Sequence, residues 1–107
     1  MTPGGFDEEG FSAEVLQSER PVLVVVGSPS SLDSVELDKT LDLLAPKYGE
    51  IVGLVSYNLS EQPALLQRFG VETVPTVMLF KDGREQERRA GKISRQELSQ
   101  LINKYLE

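Results

Sequence analysis

Neither cysteine nor histidine occurs anywhere in the chain. Without cysteine there is no disulfide, thiolate nucleophile or soft-metal site, and without histidine no imidazole to move protons near neutral pH. Basic residues are also scarce: 11 Lys and Arg stand against 17 Asp and Glu, a net charge of −6. That balance opposes binding to a phosphate backbone, where affinity rests on cations displacing condensed counterions, so nucleic acid is not an expected partner. Long apolar runs are missing too. The longest, Pro21 to Val26, falls far short of the roughly 20 residues that cross a bilayer, so no membrane span is expected. Met1-Thr2-Pro3-Gly4-Gly5 has neither a basic region nor an apolar core to direct export, and the expected location is cytoplasmic.

What remains is an ordinary globular composition: 107 residues, 39% apolar and 26% charged, enough for one core and too short for two. No internal repeat is visible. Residues 1–10 mix Gly, Pro and acids without a period and read as a flexible lead-in, leaving 11–107 as a single domain.

Within that domain, Ser12 is placed to cap a short helix carrying Val15 and Leu16, which Ser18-Glu19-Arg20-Pro21 ends. Val22-Leu23-Val24-Val25-Val26 has no alternation, the mark of a central strand covered on both faces. After the breaker cluster Gly27-Ser28-Pro29-Ser30-Ser31, Leu37, Leu41, Leu44, Ala45 and Tyr48 recur at helical spacing, with a kink or stop expected at Pro46. Ile51 to Tyr57 supplies a second strand. Ser60 caps the next helix, with Pro63 in its first turn, Leu65, Leu66 and Phe69 on one face, and Gly70 closing it.

Thr76 to Phe80 forms another strand, turned back by Lys81-Asp82-Gly83-Arg84 into a return strand so charged that it belongs at a sheet edge. Ser94-Arg95-Gln96-Glu97 is a capping box, followed by the apolar stripe Leu98, Leu101, Ile102, Tyr105 and Leu106. The predicted class is α/β: a mixed central sheet, with parallel strands and a C-terminal antiparallel hairpin, flanked by helices on both faces.

This order, and the local sequences over about Phe11 to Leu106, resemble the thioredoxin family. Pro21-Val22-Leu23-Val24 is similar to that family's central strand, Val74-Pro75-Thr76 to its cis-proline segment, and Phe80-Lys81-Asp82-Gly83 to its hairpin. Ala90-Gly91 is similar to the glycine beside its active site. Counting from Pro21 without a gap, Ser30-Ser31-Leu32-Asp33-Ser34 stands where the family carries Trp-Cys-Gly-Pro-Cys. The resemblance implies a thioredoxin fold and protein-disulfide oxidoreduction as the parent activity. Ser31 takes the nucleophile position and Ser34 the resolving one. Ser30, Thr73, Val74, Pro75 and Gly91 would line a groove for an extended client or reductase segment. No cofactor or metal is implied, and a monomer is expected.

The same resemblance exposes departures. Exchange needs a thiolate and a second, resolving thiol, and a hydroxyl serves as neither. Val25 replaces the family's buried carboxylate, Ser56 the lysine near it, Gly27 a tryptophan, and Asp33 the proline between the cysteines. Two readings follow: an oxidoreductase in a silenced Ser-x-x-Ser form, or a binding or chaperone module that works without thiols.

Plainer readings stand beside these. Ser31 and Ser34 open a helix, where serine caps are common. Gly27 to Ser31 lacks the Gly-Lys-Ser/Thr ending of a phosphate loop and is followed by Asp33 and Glu36, which repel phosphate. No histidine exists to activate Ser31 or Ser34 as a hydrolase nucleophile. Asp7, Glu8 and Glu9 lack the alternate-position ligands of a calcium loop and read as solvated acids.

Overall fold

The computed structural model describes residues 8–59 and 64–106. A short helix α1 (Glu8–Phe11) runs into a π-helical turn (Ser12–Leu16), followed by β1 (Val22–Gly27), α2 (Leu32–Tyr48) and β2 (Gly53–Asn58). Helix α3 (Ala64–Phe69), the hairpin strands β3 (Thr76–Lys81) and β4 (Arg84–Ala90), and α4 (Arg95–Lys104) complete the order. The sheet order is β2-β1-β3-β4, with β1 parallel to β2 and antiparallel to β3, and β3 antiparallel to β4. Among the described residues no helix is long and apolar enough to cross a membrane.

The unalternating run of β1 faces two cores at once. Leu23 and Val25 pack with Leu37, Leu41, Leu44 and Tyr48 of α2 and Leu98, Leu101 and Ile102 of α4. Val22, Val24 and Val26 pack on the other side with Phe11, Val15 and Phe69. β3 divides the same way, Val77 and Leu79 to one core, Met78 and Phe80 to the other. This is a three-layer α/β/α arrangement with β1 and β3 at its centre.

The hairpin turn has positive φ at both Asp82 (55°) and Gly83 (78°), the geometry whose twist matches that of the strands it joins. Gly70 closes α3 at φ 66°, in the left-handed region that glycine enters without penalty. The Ser94 hydroxyl accepts from Glu97 N–H while the Glu97 carboxylate accepts from Ser94 N–H, the capping box expected there.

Three expectations are corrected. Among the described residues the chain is helical from Glu8 on, and Ser12 is not a cap: Phe11 before it is already helical, and Ser12 Oγ accepts from Gln17 Nε2. The cause is Phe11, fully buried, which holds the preceding turn against the core. Pro46 does not end α2, which runs on to Tyr48. Pro46 and Asp42, four residues earlier, are both exposed, so water reaches the carbonyl that proline cannot bond, while the buried stripe holds both halves of the helix. Finally, β2 begins at Gly53 rather than Ile51, because the Tyr48 carbonyl accepts from both Ile51 and Val52 N–H. The expected cap at Ser60, the proline at 63, the side chains of Leu65 and Leu66, Asp7 and the lead-in before it lie outside the described residues.

Candidate functional site

β1 ends at Gly27, and the loop Ser28–Ser31 delivers the chain to the N-terminus of α2. Ser31 is the N-cap, with extended φ −102° and ψ 120°. Its Oγ accepts from Ser34 N–H at 3.2 Å, its carbonyl from Val35 N–H at 3.0 Å, and its own N–H donates to Ser28 O at 3.1 Å. Ser28 and Ser30 hydroxyls share a 2.9 Å hydrogen bond. Ser34 differs from the rest: it is only 4% exposed, and its Oγ is buried without a hydrogen-bond partner.

A second arm approaches the same end of the sheet. Thr76 is the register partner of both Val26 on β1 and Ala90 on β4, so Gly27, Pro75 and Gly91 leave the sheet side by side. The Val74–Pro75 peptide is cis. Pro75 is buried and its carbonyl accepts from Gly91 N–H at 2.7 Å, while Thr76 Oγ1 donates to Thr73 O. Gly91 has φ 86°, in the left-handed region that favours glycine. Thr73 and Ser30 are exposed and Val74 half-buried. Two segments far apart in sequence, 28–34 and 73–76, thus share one end of the sheet, with Gly91 hydrogen-bonded to the second.

A cis-proline turn, hydrogen-bonded to a positive-φ glycine, thus stands beside a Ser-x-x-Ser helix start. The thioredoxin family model matches residues 5–104. The chain belongs to the thioredoxin family. It is 31% identical over 96 residues to Thioredoxin 1 of Synechococcus elongatus, covering 90% of each chain. To Thioredoxin 1 of a Nostoc species it is likewise 31% identical over 96 residues, covering 90% of each. To the thioredoxin of Porphyra purpurea it is 26% identical over 106 residues, covering 99% of each.

Measured against the thioredoxin pattern, the departures at Val25 and Ser56 are adjacent. The two are register partners on β1 and β2, and both line a groove of about 500 Å³ between α2 and β2, with Asp38, Leu41, Asp42, Ala45, Leu54 and Val55. Val25 is 2% exposed and wholly within the apolar core. Where the family pattern pairs a carboxylate with a lysine, this thioredoxin relative has a methyl surface beside a hydroxyl.

One residue of the site escaped sequence reasoning. Leu32, at the family's glycine position, opens α2 at 82% exposure. Its signal was present: position 32 is out of phase with the stripe Leu37, Leu41, Leu44, so its apolar side chain has no core to enter. Strong electrostatic perturbation lies on β4 and α4 instead, where hydrogen bonds from Lys104, Tyr105 and Arg89 hold the Glu87 carboxyl down at about 2. Among the described residues no acidic cluster is arranged to hold a metal ion.

Proposed function

We propose that this thioredoxin-family chain does not exchange thiols for disulfides and instead binds an extended protein segment along Thr73, Val74 and Pro75. The observation that carries the reading is the division of labour between the two arms. Ser31 is committed to capping α2 and Ser34 is buried, whereas the Pro75–Gly91 framework is intact and leaves Thr73 accessible. Backbone N–H and C=O groups at such a segment pair with an extended peptide without any sulfur chemistry. Exposed Leu32 and Ser30 add contact area on the facing side, and the partner is a client protein met by a monomer.

The second reading, a silenced oxidoreductase, is weakened by Val25 and Ser56, since restoring two thiols would not restore a proton relay. Restoring cysteine at both 31 and 34 and following dithiol-driven reduction of insulin separates the two. A disulfide that forms without catalysed turnover supports the binding module. Robust turnover by the double variant alone sinks it in favour of the oxidoreductase. Peptide binding is read on the unaltered chain from amide shifts at Thr73 and Val74, and a chain that leaves them unmoved across a varied peptide library has no client groove.

A further inference from the structure

Charge is divided unevenly along this chain. Up to Phe80 it carries 4 Lys and Arg against 12 Asp and Glu, and from Lys81 onward 7 against 5, so the first part holds −8 and the second +2. The sheet order turns that division into a boundary in space. Because the strands run β2-β1-β3-β4, the segment 73–75 entering β3 stands between the end of β1, which leads into α2, and the end of β4, which leads into α4. Thr76, paired with Val26 on one side and Ala90 on the other, fixes both neighbouring strands, each about 4.8 Å away.

The two flanks of that segment carry opposite signs. On the β1 side Asp33 and Glu36 lie in the first two turns of α2, exposed and in no ion pair among the described residues. On the β4 side Lys92 and Arg95 follow Gly91, likewise exposed and in no ion pair among the described residues. The other charges near them are already engaged: Arg89 pairs with Glu87, and the Glu97 carboxylate accepts from Ser94 N–H. Glu72, exposed, precedes Thr73 on the middle segment itself.

We propose, resting on the client groove along 73–75, that its occupant is an extended protein segment of mixed charge, with Lys or Arg at the alternate positions that face α2 and Asp or Glu at the intervening positions that face Gly91. Successive side chains of an extended segment turn to opposite sides, so one segment meets both flanks at once. On the acidic side a long basic side chain gains twice: its methylene stem covers Leu32, 82% exposed, while its head meets the carboxylates. Net charge alone calls for a different client. A chain at −6 attracts any cationic segment, and more strongly the more positive that segment is. The opposed flanks instead favour a segment whose charges cancel, and they set which of its sides faces which flank.

The probe is a synthetic acetyl-Val-(Lys-Glu)2-Val-amide, with acetyl-Val-(Lys-Thr)2-Val-amide and acetyl-Val-(Thr-Glu)2-Val-amide as single-sign counterparts. Each is titrated into the full chain at low salt while the amide signals of Thr73 and Val74 are followed. The mixed peptide binds at least about threefold more tightly than either counterpart, as expected for one or two exposed charge pairs, and about 0.5 M salt erases the preference. Lys92→Gln with Arg95→Gln removes its advantage over the basic peptide, and Asp33→Asn with Glu36→Gln removes its advantage over the acidic one. Affinity that simply follows peptide charge, with the basic peptide tightest, overturns the proposal and leaves the client groove standing. Equal affinity for all three, with Thr73 and Val74 still shifted, does the same. Peptides that leave both amides unmoved overturn the proposal and the groove together. Shifts that appear on raising the protein concentration alone also overturn it, since the groove then holds a second copy of this chain.

Discussion

Gly27 and Ser34 close against each other: a side-chain carbon on Gly27 would stand 3.2 Å from both Cβ and Oγ of Ser34. The contact means that a side chain at position 27 would require Ser34 to give way by a few tenths of an ångström. It also walls off the Ser34 hydroxyl, which has no hydrogen-bonding partner. Replacing Ser34 with Ala removes an unsatisfied buried oxygen and nothing else. We expect stabilisation of about 1 kcal/mol, read as a higher urea midpoint at unchanged slope.

Ser31 has the opposite role. Its Oγ holds the Ser34 N–H at the start of α2, so Ser31→Ala should cost about 1 kcal/mol, whereas Ser31→Asp keeps the cap and should lie near the parent. The same urea titration checks both, and equal losses for the two variants would show that the cap does not matter.

Acid should weaken the fold through Glu87. Lys104 Nζ and Tyr105 Oη donate to its carboxylate and Arg89 pairs with it at 2.8 Å, holding its pKa at about 2 against an ordinary 4.5. With the folded value lowered, the unfolded chain binds more protons in between, so this contribution is complete above about 4.5 and is lost as pH falls toward 2. Lys104 and Tyr105 are both raised, chiefly by their hydrogen bonds to Glu87, so their share is present below 10.5 and 10.0 and is lost as pH rises through the folded values. Glu87→Gln should flatten stability against pH at both ends. A variant with the parent's acid slope would show that other carboxylates control it.

Val25→Asp tests whether this core can still carry the family's buried carboxylate. Burial disfavours its charged form and raises its pKa, with only the neighbouring strand's Ser56 in register beside it. The folded value then exceeds the unfolded one, so the penalty is small below about pH 4 and grows as pH rises through the folded pKa, reaching about 2–4 kcal/mol at neutrality. Adding Ser56→Lys should recover part of it. Unfolding measured from pH 3 to 8 decides this, and a pH-independent loss would mean simple cavity or packing damage.

Most of the fold was legible because its signals are local. The unbroken run Val22–Val26 announces a strand covered twice, Asp82-Gly83 its hairpin, and Ser94 with Glu97 the last helix. What failed was decided by packing across the sequence. Local rules stop a helix at Pro46, yet Leu44 and Tyr48 bury on the same stripe and carry it through. Ser12 looks like a cap until Phe11 is found buried before it. At the site, the serine pair was readable by counting from Pro21. The meeting of Gly27, Pro75 and Gly91 was not, because it depends on the pairing of Thr76 with two other strands at once.

The division of β1 between two cores has a consequence for how the sheet finds its alignment. A strand with polar residues on one face is corrected by water whenever it slips by one residue. Val22-Leu23-Val24-Val25-Val26 is greasy either way up, so a slipped β1 would exchange one core's residues for the other's with little change in hydration. Alignment therefore falls to the ends of the run: the bond from Gly53 to Pro21 at one and from Leu59 to Gly27 at the other. The centre supplies the cohesion, and the two ends supply the address.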